Sequence, residues 1–350
     1  MSAPLIERTP MPDALRPIPP VKPRHFPPPP PLVDKAPGLW RRTPPAIFPP
    51  MLGLFGLGLA WRTMAAQPGL TPLAPVGEAI LGATLLLYAF SLVAWLSKPI
   101  RRPAVVIDDL RVLPGRAGLA AMTLCLALAA ASLVPYAPGL ALNIAFADVA
   151  VLIVLGMLIA GVLATGPDEQ RMVTPIFHLS FAGYILSALT FAQLGLTGFA
   201  TGILIATTAA ATFIWLVSLR QILTRIPPAP LRPLLAIHAA PAALFATVSA
   251  TLGYPTLAAG FALLALAIVT AIVASARWLL AAGFSPLWGA LTFPLAATAT
   301  ASIVALGQPG LYVGAALLIA ATALNPWIAF RVIKAWAKGQ LAAKTNAATA

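Results

Sequence analysis

The sequence predicts an all-α, polytopic membrane protein of ten transmembrane helices. Three observations carry that prediction. First, of 350 residues only 22 are Lys or Arg and 9 are Asp or Glu, so 9% are charged while 60% are hydrophobic. Soluble domains run at roughly 25% charged, and this chain cannot wrap one core in a charged surface. Second, from residue 46 the chain reads as apolar runs parted by short turns. Each run has about 19 to 26 residues, and about 20 in a helix cross a hydrocarbon layer of roughly 30 Å. Third, the basic residues fall almost wholly on one side of the membrane so implied. A soluble enzyme, a nucleic-acid-binding domain and a disordered scaffold are excluded. The single cysteine, Cys125, excludes an intrachain disulfide and any cysteine-based metal cluster.

Residues 1–45 differ from the rest. They hold fifteen prolines, with the run Pro27 to Pro31, and seven basic residues. Proline at that density disfavours helix and sheet, so a basic, disordered cytoplasmic tail is expected. The tail lacks the apolar stretch and small-residue cleavage site of a signal peptide. A PxxP ligand for a partner domain is the sharper alternative to a plain solvated tail.

Ten apolar runs follow, at 46–64, 76–97, 114–134, 140–164, 174–195, 199–222, 232–252, 255–280, 286–306 and 311–333. Each must be helical in lipid, where no water satisfies an open backbone. Barrel strands would be about half as long and would alternate. The channel domain is thus expected over 46–335, with a short cytoplasmic tail over 336–350. Counting Lys and Arg by connection tests the span number. The N-terminal tail, the loops after even-numbered spans and the C-terminal tail hold 21, five of them between spans 2 and 3 (Lys98, Arg101, Arg102, Arg111, Arg116). The opposite loops hold only Arg62. That split fits the positive-inside rule with both termini cytoplasmic, and a miscounted span would mix the sides. Trp40, Trp61, Trp95 and Trp278 stand near span ends, where they read as interface anchors.

Ionisable residues within spans are scarce, and each is a functional candidate. Asp148 lies in span 4, His178 early in span 5 and His238 early in span 7. The plain reading pairs Asp148 with a polar neighbour such as Asn143 and gives each histidine a hydrogen bond to a neighbouring helix. The functional reading makes all three protonation sites. No His/Asp/Glu cluster has metal-ligand spacing, so neither metal nor cofactor is expected. The pair Asp108-Asp109 reads as a loop that offsets local charge. It is too isolated to hold a metal and a diphosphate for a membrane enzyme. Helix breakers favour alternate spans: Pro49, Pro50, Gly53, Gly56 and Gly58 in span 1, Pro175 and Gly183 in span 5, Pro241 in span 7 and Pro294 in span 9. Pro326 in span 10 is the exception. Irregular backbone at membrane depth is tolerated where it is buried in protein or lines a water-filled path. The bias suggests five helical hairpins, odd helices inward around a conduit and even helices outward. Phe48, Phe55, Phe181, Phe245 and Phe293 all lie on odd spans, and a bulky ring at a constriction can gate by blocking or dewetting.

Four segments together resemble the tellurite-resistance/dicarboxylate transporter family, which includes bacterial TehA-type channels and the slow-type anion channels of plants. They are Phe48-Pro-Pro-Met-Leu-Gly-Leu-Phe-Gly-Leu-Gly-Leu-Ala-Trp61-Arg62, Pro175-Ile-Phe-His178-Leu-Ser180-Phe-Ala-Gly183, Leu231-Arg-Pro-Leu-Leu-Ala-Ile-His-Ala-Ala-Pro241 and Leu287-Trp-Gly-Ala-Leu-Thr-Phe293-Pro294-Leu-Ala. The resemblance covers 46–340. It implies ten helices as five hairpins in a quasi-fivefold ring around a central pore, and a homotrimer with one pore per subunit. Phe293 matches the pore-occluding phenylalanine, Phe48 and Gly53 the pore-lining part of helix 1, and Pro241 the kink of helix 7. Pro294 joins them as a pore-shaping residue. The sequence departs from the pattern at Met51, where glycine is common, and at Ser180, where bacterial members often have proline. His238 has no counterpart in the pattern, so pH sensitivity is an expectation of this sequence alone. The expected function is an anion channel or facilitator in the cytoplasmic membrane, passing small anions through a phenylalanine-gated pore. The alternative is a proton-coupled transporter of C4-dicarboxylates or of a tellurite- or sulfite-type oxyanion. The partners expected are small anions, membrane lipid and further copies of the chain, with no nucleic acid.

Overall fold

The computed structural model describes residues 38–350. The tail expected over 1–45 therefore lies outside the described residues as far as 37. Its last part is folded rather than disordered. Short 3-10 turns span Leu39–Arg42 and Pro45–Ile47, and Thr43 and Ile47 are fully buried.

Every described element is helical. After the 3-10 turns come α1 (Phe48–Ala65), α2 (Ala74–Arg101), α3 (Val105–Arg111), α4 (Leu113–Leu133) and α5 (Pro138–Thr165). A π-helical turn, His178–Ala182, leads to α6 (Ile185–Gln193), and α7 covers Thr197–Thr224. The 3-10 stretch Ala229–His238 runs into α8 (Ala239–Thr251), followed by α9 (Pro255–Ala274) and α10 (Ala276–Leu279). A second 3-10 stretch, Pro286–Leu291, runs into α11 (Thr292–Ala305), and α12 (Gly307–Ala337) and α13 (Leu341–Lys344) close the chain. Helix thus occupies each of the ten apolar runs. Eight segments among the described residues are long and apolar enough to cross a membrane. The two that fall short are α1 and the π-broken segment leading to α6.

Consecutive helices pair as hairpins: α1 with α2, α4 with α5, α6 with α7, α8 with α9 and α11 with α12. Two of the hairpin turns are built alike. Gly195 and Gly253 sit at φ +80° and +82°. The next amides reach back to Phe191 O (2.8 Å) and Ser249 O (2.9 Å). This is the Schellman turn, whose left-handed residue glycine adopts without steric cost. The first helices of the hairpins also touch one another: α1 packs on α4 and α11, α6 on α4 and α8, and α8 on α11.

Burial divides the two sets. The most apolar 18-residue windows are 83, 78 and 67% buried in 113–133, 229–251 and 286–305, against 22 to 33% in the five second-position helices. The inner helices are rich in alanine and glycine, which lets backbones approach closely. A side chain at Gly53 would collide with Thr292 of α11. One at Gly56 would stand 2.9 Å from the ring of Phe293.

Several local expectations are corrected. Of the five basic residues placed in the loop between spans 2 and 3, only Arg102 is outside a helix: Lys98 and Arg101 end α2, Arg111 ends α3 and Arg116 is buried in α4. The pair Asp108-Asp109 does offset local charge, Asp108 meeting Arg102 (2.9 Å) and Arg111 (3.2 Å), but not from a loop. It lies in α3, where Asp109 is fully buried and pairs with the fully buried Lys98 at 2.9 Å. Lys98 also donates to Thr43 O (3.1 Å), and Asp109 accepts from the amide of Ala348 (2.8 Å). Buried charges persist where partners and extra hydrogen bonds replace water. The stretch 336–350 folds back rather than trailing away: Thr345 and Ala350 are buried, and the amide of Ala350 donates to Arg41 O (3.0 Å). Trp95 is no interface anchor, being 4% exposed.

Candidate functional site

The irregular backbone gathers at one end of the inner helices, the end to which the basic residues also belong. Pro241 and Pro294 each occupy the third position of an α-helix that continues from a 3-10 stretch. Both prolines thus stand near the middle of their spans, 229–251 and 286–305, as expected from sequence, but where the helix type changes and not inside an unbroken α-helix. They mark the switch from 3-10 to α, where the first turn has no intrahelical acceptor for its N–H groups and proline is tolerated. The π turn at His178–Ala182 marks the same region of the third hairpin, and such turns recur at functional sites.

Two adjoining cavities lie among these ends. The larger is walled by α1, α4 and the stretches entering α6, α8 and α11. The smaller lies further along the same helices and includes Ala182, Leu186, Pro241 and Leu244. They share Leu52, Leu179, Ile237, Ala240 and Phe293 as walls. No charged side chain lines either one, and His178 in the smaller is the only titratable group. The shared boundary is therefore apolar, and Phe293 is its only aromatic ring. That ring is 5% exposed and rests over Gly56.

Of the expected residues, Phe293, Pro294, Pro241 and His178 come together on these walls. Phe48 does not. Its ring turns outward onto Tyr88 of α2, with centroids 6.0 Å apart, and Ala46, Pro49 and Leu52 take the inward positions. Gly53 also faces away from the cavities, against Thr292. Phe55 and Phe245 are likewise packed outward, on Tyr88 and on Trp215 and Phe261.

The two histidines meet. His178 Nε2 and His238 Nδ1 lie 2.9 Å apart, so one ring donates and the other accepts. The remaining ring nitrogens are buried without a partner among the described residues. Trp215 of α7 secures the pair, its indole N–H donating to His238 O (3.1 Å). Asp148 stands apart on α5. It accepts from Ser187 of α6 (2.7 Å), not from Asn143, and its second oxygen has no partner among the described residues. Among the described residues no group of three or more His, Cys, Asp or Glu could hold a metal.

Sequence reasoning missed Asn325. This fully buried amide on α12 donates to Gly53 O (3.0 Å) and to Thr292 O (3.1 Å), stapling α1 to α11 beside Phe293. Its sign was an amide in an apolar span, next to a proline that was noticed. At the other end, Arg62 forms a bidentate pair with Glu78 (2.7 Å for both bonds) and donates to Ser132 O (3.1 Å). The lone basic residue of that face is thereby neutralised.

Eight long apolar helices, with lipid-type side chains outward and an apolar cavity among the inner ends, define a multi-pass, membrane-embedded helical protein. The model of the voltage-dependent anion channel (SLAC1) family matches residues 42–333, and the chain belongs to that family. It is the family that the four sequence motifs resemble. Its members are channels or transporters of small anions, not enzymes. Comparison with curated proteins gives no match.

Proposed function

We propose that this protein is an anion channel of the cytoplasmic membrane whose pore is closed by Phe293. Ten helices cross the membrane as five hairpins, and the inner helices close a ring in the order α1, α4, α6, α8, α11 and back to α1. The packing of each inner helix on the next supports this ring, as does the burial difference between inner and outer helices. The observation that carries the gate is the ring of Phe293 on the boundary shared by the two cavities. An apolar constriction excludes a hydrated ion until it widens. An uncharged lining repels no anion.

Both termini face the cytoplasm, where the positive-inside rule puts the unneutralised basic residues. With the inside negative, efflux of a monovalent anion gains about 2.3 kcal/mol per 100 mV. Three copies assemble with one pore each. A tellurite-type oxyanion is one candidate cargo beside chloride and nitrate. Asn325 and Gly56 position the gate, Pro241 and Pro294 shape the wall, and the His178–His238 pair is the protonation site nearest to it. Protonating both rings would remove the acceptor that joins them.

The test is current across a planar bilayer holding purified protein, wild type beside Phe293→Ala, in chloride and then nitrate. A larger, ohmic, anion-selective current in the variant is expected, by about tenfold or more if the ring contributes at least 1.4 kcal/mol to the closed state. A current no larger than wild type removes Phe293 from the gate. Silence in both folded proteins points instead to electroneutral, proton-coupled uptake. A conductance that is the same in wild type and in His178→Gln and His238→Gln at every pH removes the histidines.

A further inference from the structure

A third cavity opens outside the conduit, between the stretch before α11, the end of α12 and α13. Its walls include Phe284, Ser285 and Lys344. The guanidinium of Arg331 lies against Phe284, 4.5 Å from the ring centroid, and 5.3 Å from that of Trp327. Phe284, Trp288 and Trp327 form one aromatic cluster, with centroids 5.5 to 5.9 Å apart. Trp327 is 42% exposed on the outer helix α12. Such a cluster at a helix end belongs to the headgroup level of a membrane.

Charge makes this corner unusual. The last acidic residue of the chain is Glu169, while basic residues continue to Lys344. Among the described residues, neither Arg331 nor Lys344 is paired with a carboxylate. The hydroxyl of Ser285 makes no hydrogen bond to a described residue either, although the side chain lines the cavity. One cation on the wall (Lys344), a second packed on the wall ring Phe284 (Arg331) and a free hydroxyl, beside an exposed indole, match the chemistry that basic pockets between membrane helices use for phosphate headgroups. Pro286 lines both this cavity and the large inner one, so a bound anion would stand beside the mouth of the conduit.

We propose that this cavity binds a phosphate-bearing anion, with Lys344 as the cation on its wall, Arg331 as a second cation reaching in from its rim beside Phe284, and Ser285 as a hydroxyl donor. The phosphate belongs to an anionic lipid headgroup or to a free phosphate. Binding would pin α13 to the stretch before α11 and so connect the folded-back C-terminal segment to the wall that carries Phe293. The site rests on the membrane reading but not on conduction.

The test therefore reads binding rather than current. The full chain in neutral detergent is titrated with phosphatidylglycerol, phosphatidylcholine or inorganic phosphate, and thermal unfolding reports apparent affinity. Wild type is compared with Lys344→Gln, Arg331→Gln, the double variant and Lys338→Gln, which removes a cation of the same face outside the cavity. Stabilisation by phosphatidylglycerol but not phosphatidylcholine is expected. Each cavity variant should weaken it by about fivefold, the factor that about 1 kcal/mol per surface cation converts to. Lys338→Gln should keep it within about twofold. If inorganic phosphate stabilises alike, the ligand is the free anion; if only the lipid does, it is the headgroup. No stabilisation by either, an unchanged double variant, or a loss in Lys338→Gln equal to that in the cavity variants overturns the proposal.

Discussion

The inner and outer helices invert the rule that governs a soluble protein. The outer windows have mean hydropathy of 1.7 to 2.6 and are mostly exposed, whereas the qualifying inner ones reach only 1.5 to 1.6 and are mostly buried. In water, the more apolar segment would go inside. Here lipid solvates apolar surface as well as protein does, so hydropathy cannot decide position. What does decide it is the need to keep polar groups and open backbone out of hydrocarbon. The outer helices make this visible residue by residue. Lys98, Tyr88, Asp148 and Asn325 all stand on outer helices, and all turn inward and bury. The inner segments hold the long 3-10 stretches 229–238 and 286–291 and the π turn 178–182, irregular backbone of the kind tolerated at membrane depth where protein buries it.

The sharpest break of this comparison is Asp109→Ala. It would leave the ammonium of Lys98 buried and unpaired beside Thr43 O, and breaking such a pair costs about 3–5 kcal/mol. Thermal unfolding in detergent should fall accordingly. The double variant Lys98→Met/Asp109→Leu should recover most of the loss, since apolar replacement of a buried pair is often neutral. A single variant as stable as wild type would mean that water reaches the inward stripe.

A smaller loss is expected for Asn325→Ala. Two buried carbonyls, Gly53 O and Thr292 O, lose a donor, at about 1–3 kcal/mol for the lost bonds. Because the staple joins α1 to α11 beside Phe293, the variant should also change the resting current. Asn325→Asp keeps the shape but loses the donors, so it should share the defect. If it matches wild type in stability and current, the staple is not what holds the gate.

Gly56→Ala acts on the ring alone. Its new methyl would stand 2.9 Å from Phe293 Cδ2 and 3.1 Å from Cε2, closer than carbon contacts allow. Overpacking of this kind costs about 1–3 kcal/mol, and the ring can yield by turning into a cavity. A resting current above wild type is therefore expected, with stability near the lower figure. An unchanged current would show that the ring can shift without opening a path.

The bounds of the helices along the chain were legible in the sequence, but rotation about each helix axis was not. The run bounds come within a few residues of the helices because apolar length and basic turns are local properties. Over 48–61, by contrast, every face is apolar or glycine, so no periodicity says that Leu52 looks inward while Phe48 and Phe55 look toward Tyr88. Pairings were hidden for a different reason. His178 and His238 are 60 residues apart, and each was noticed alone. Their contact depends on the inner helices lying side by side, which no short-range pattern encodes. Asp148 shows the same limit: its near neighbour in sequence, Asn143, was the expected partner, while the fold supplies Ser187.

The smallest effect belongs to the lipid-facing stripe. Ile205 on α7 is 66% exposed. Replacing a buried isoleucine by alanine costs about 2–5 kcal/mol, because transfer and cavity terms add. At Ile205 both terms shrink, since lipid chains fill the gap and are as apolar as the side chain removed. Ile205→Ala should therefore shift stability by no more than about 0.5 kcal/mol, with current unchanged. A loss near 2 kcal/mol would mean that protein, not lipid, covers this stripe. It would thus convert an exposed position of one chain into a subunit contact of the proposed trimer, and crosslinking through a cysteine at 205 would then join two copies.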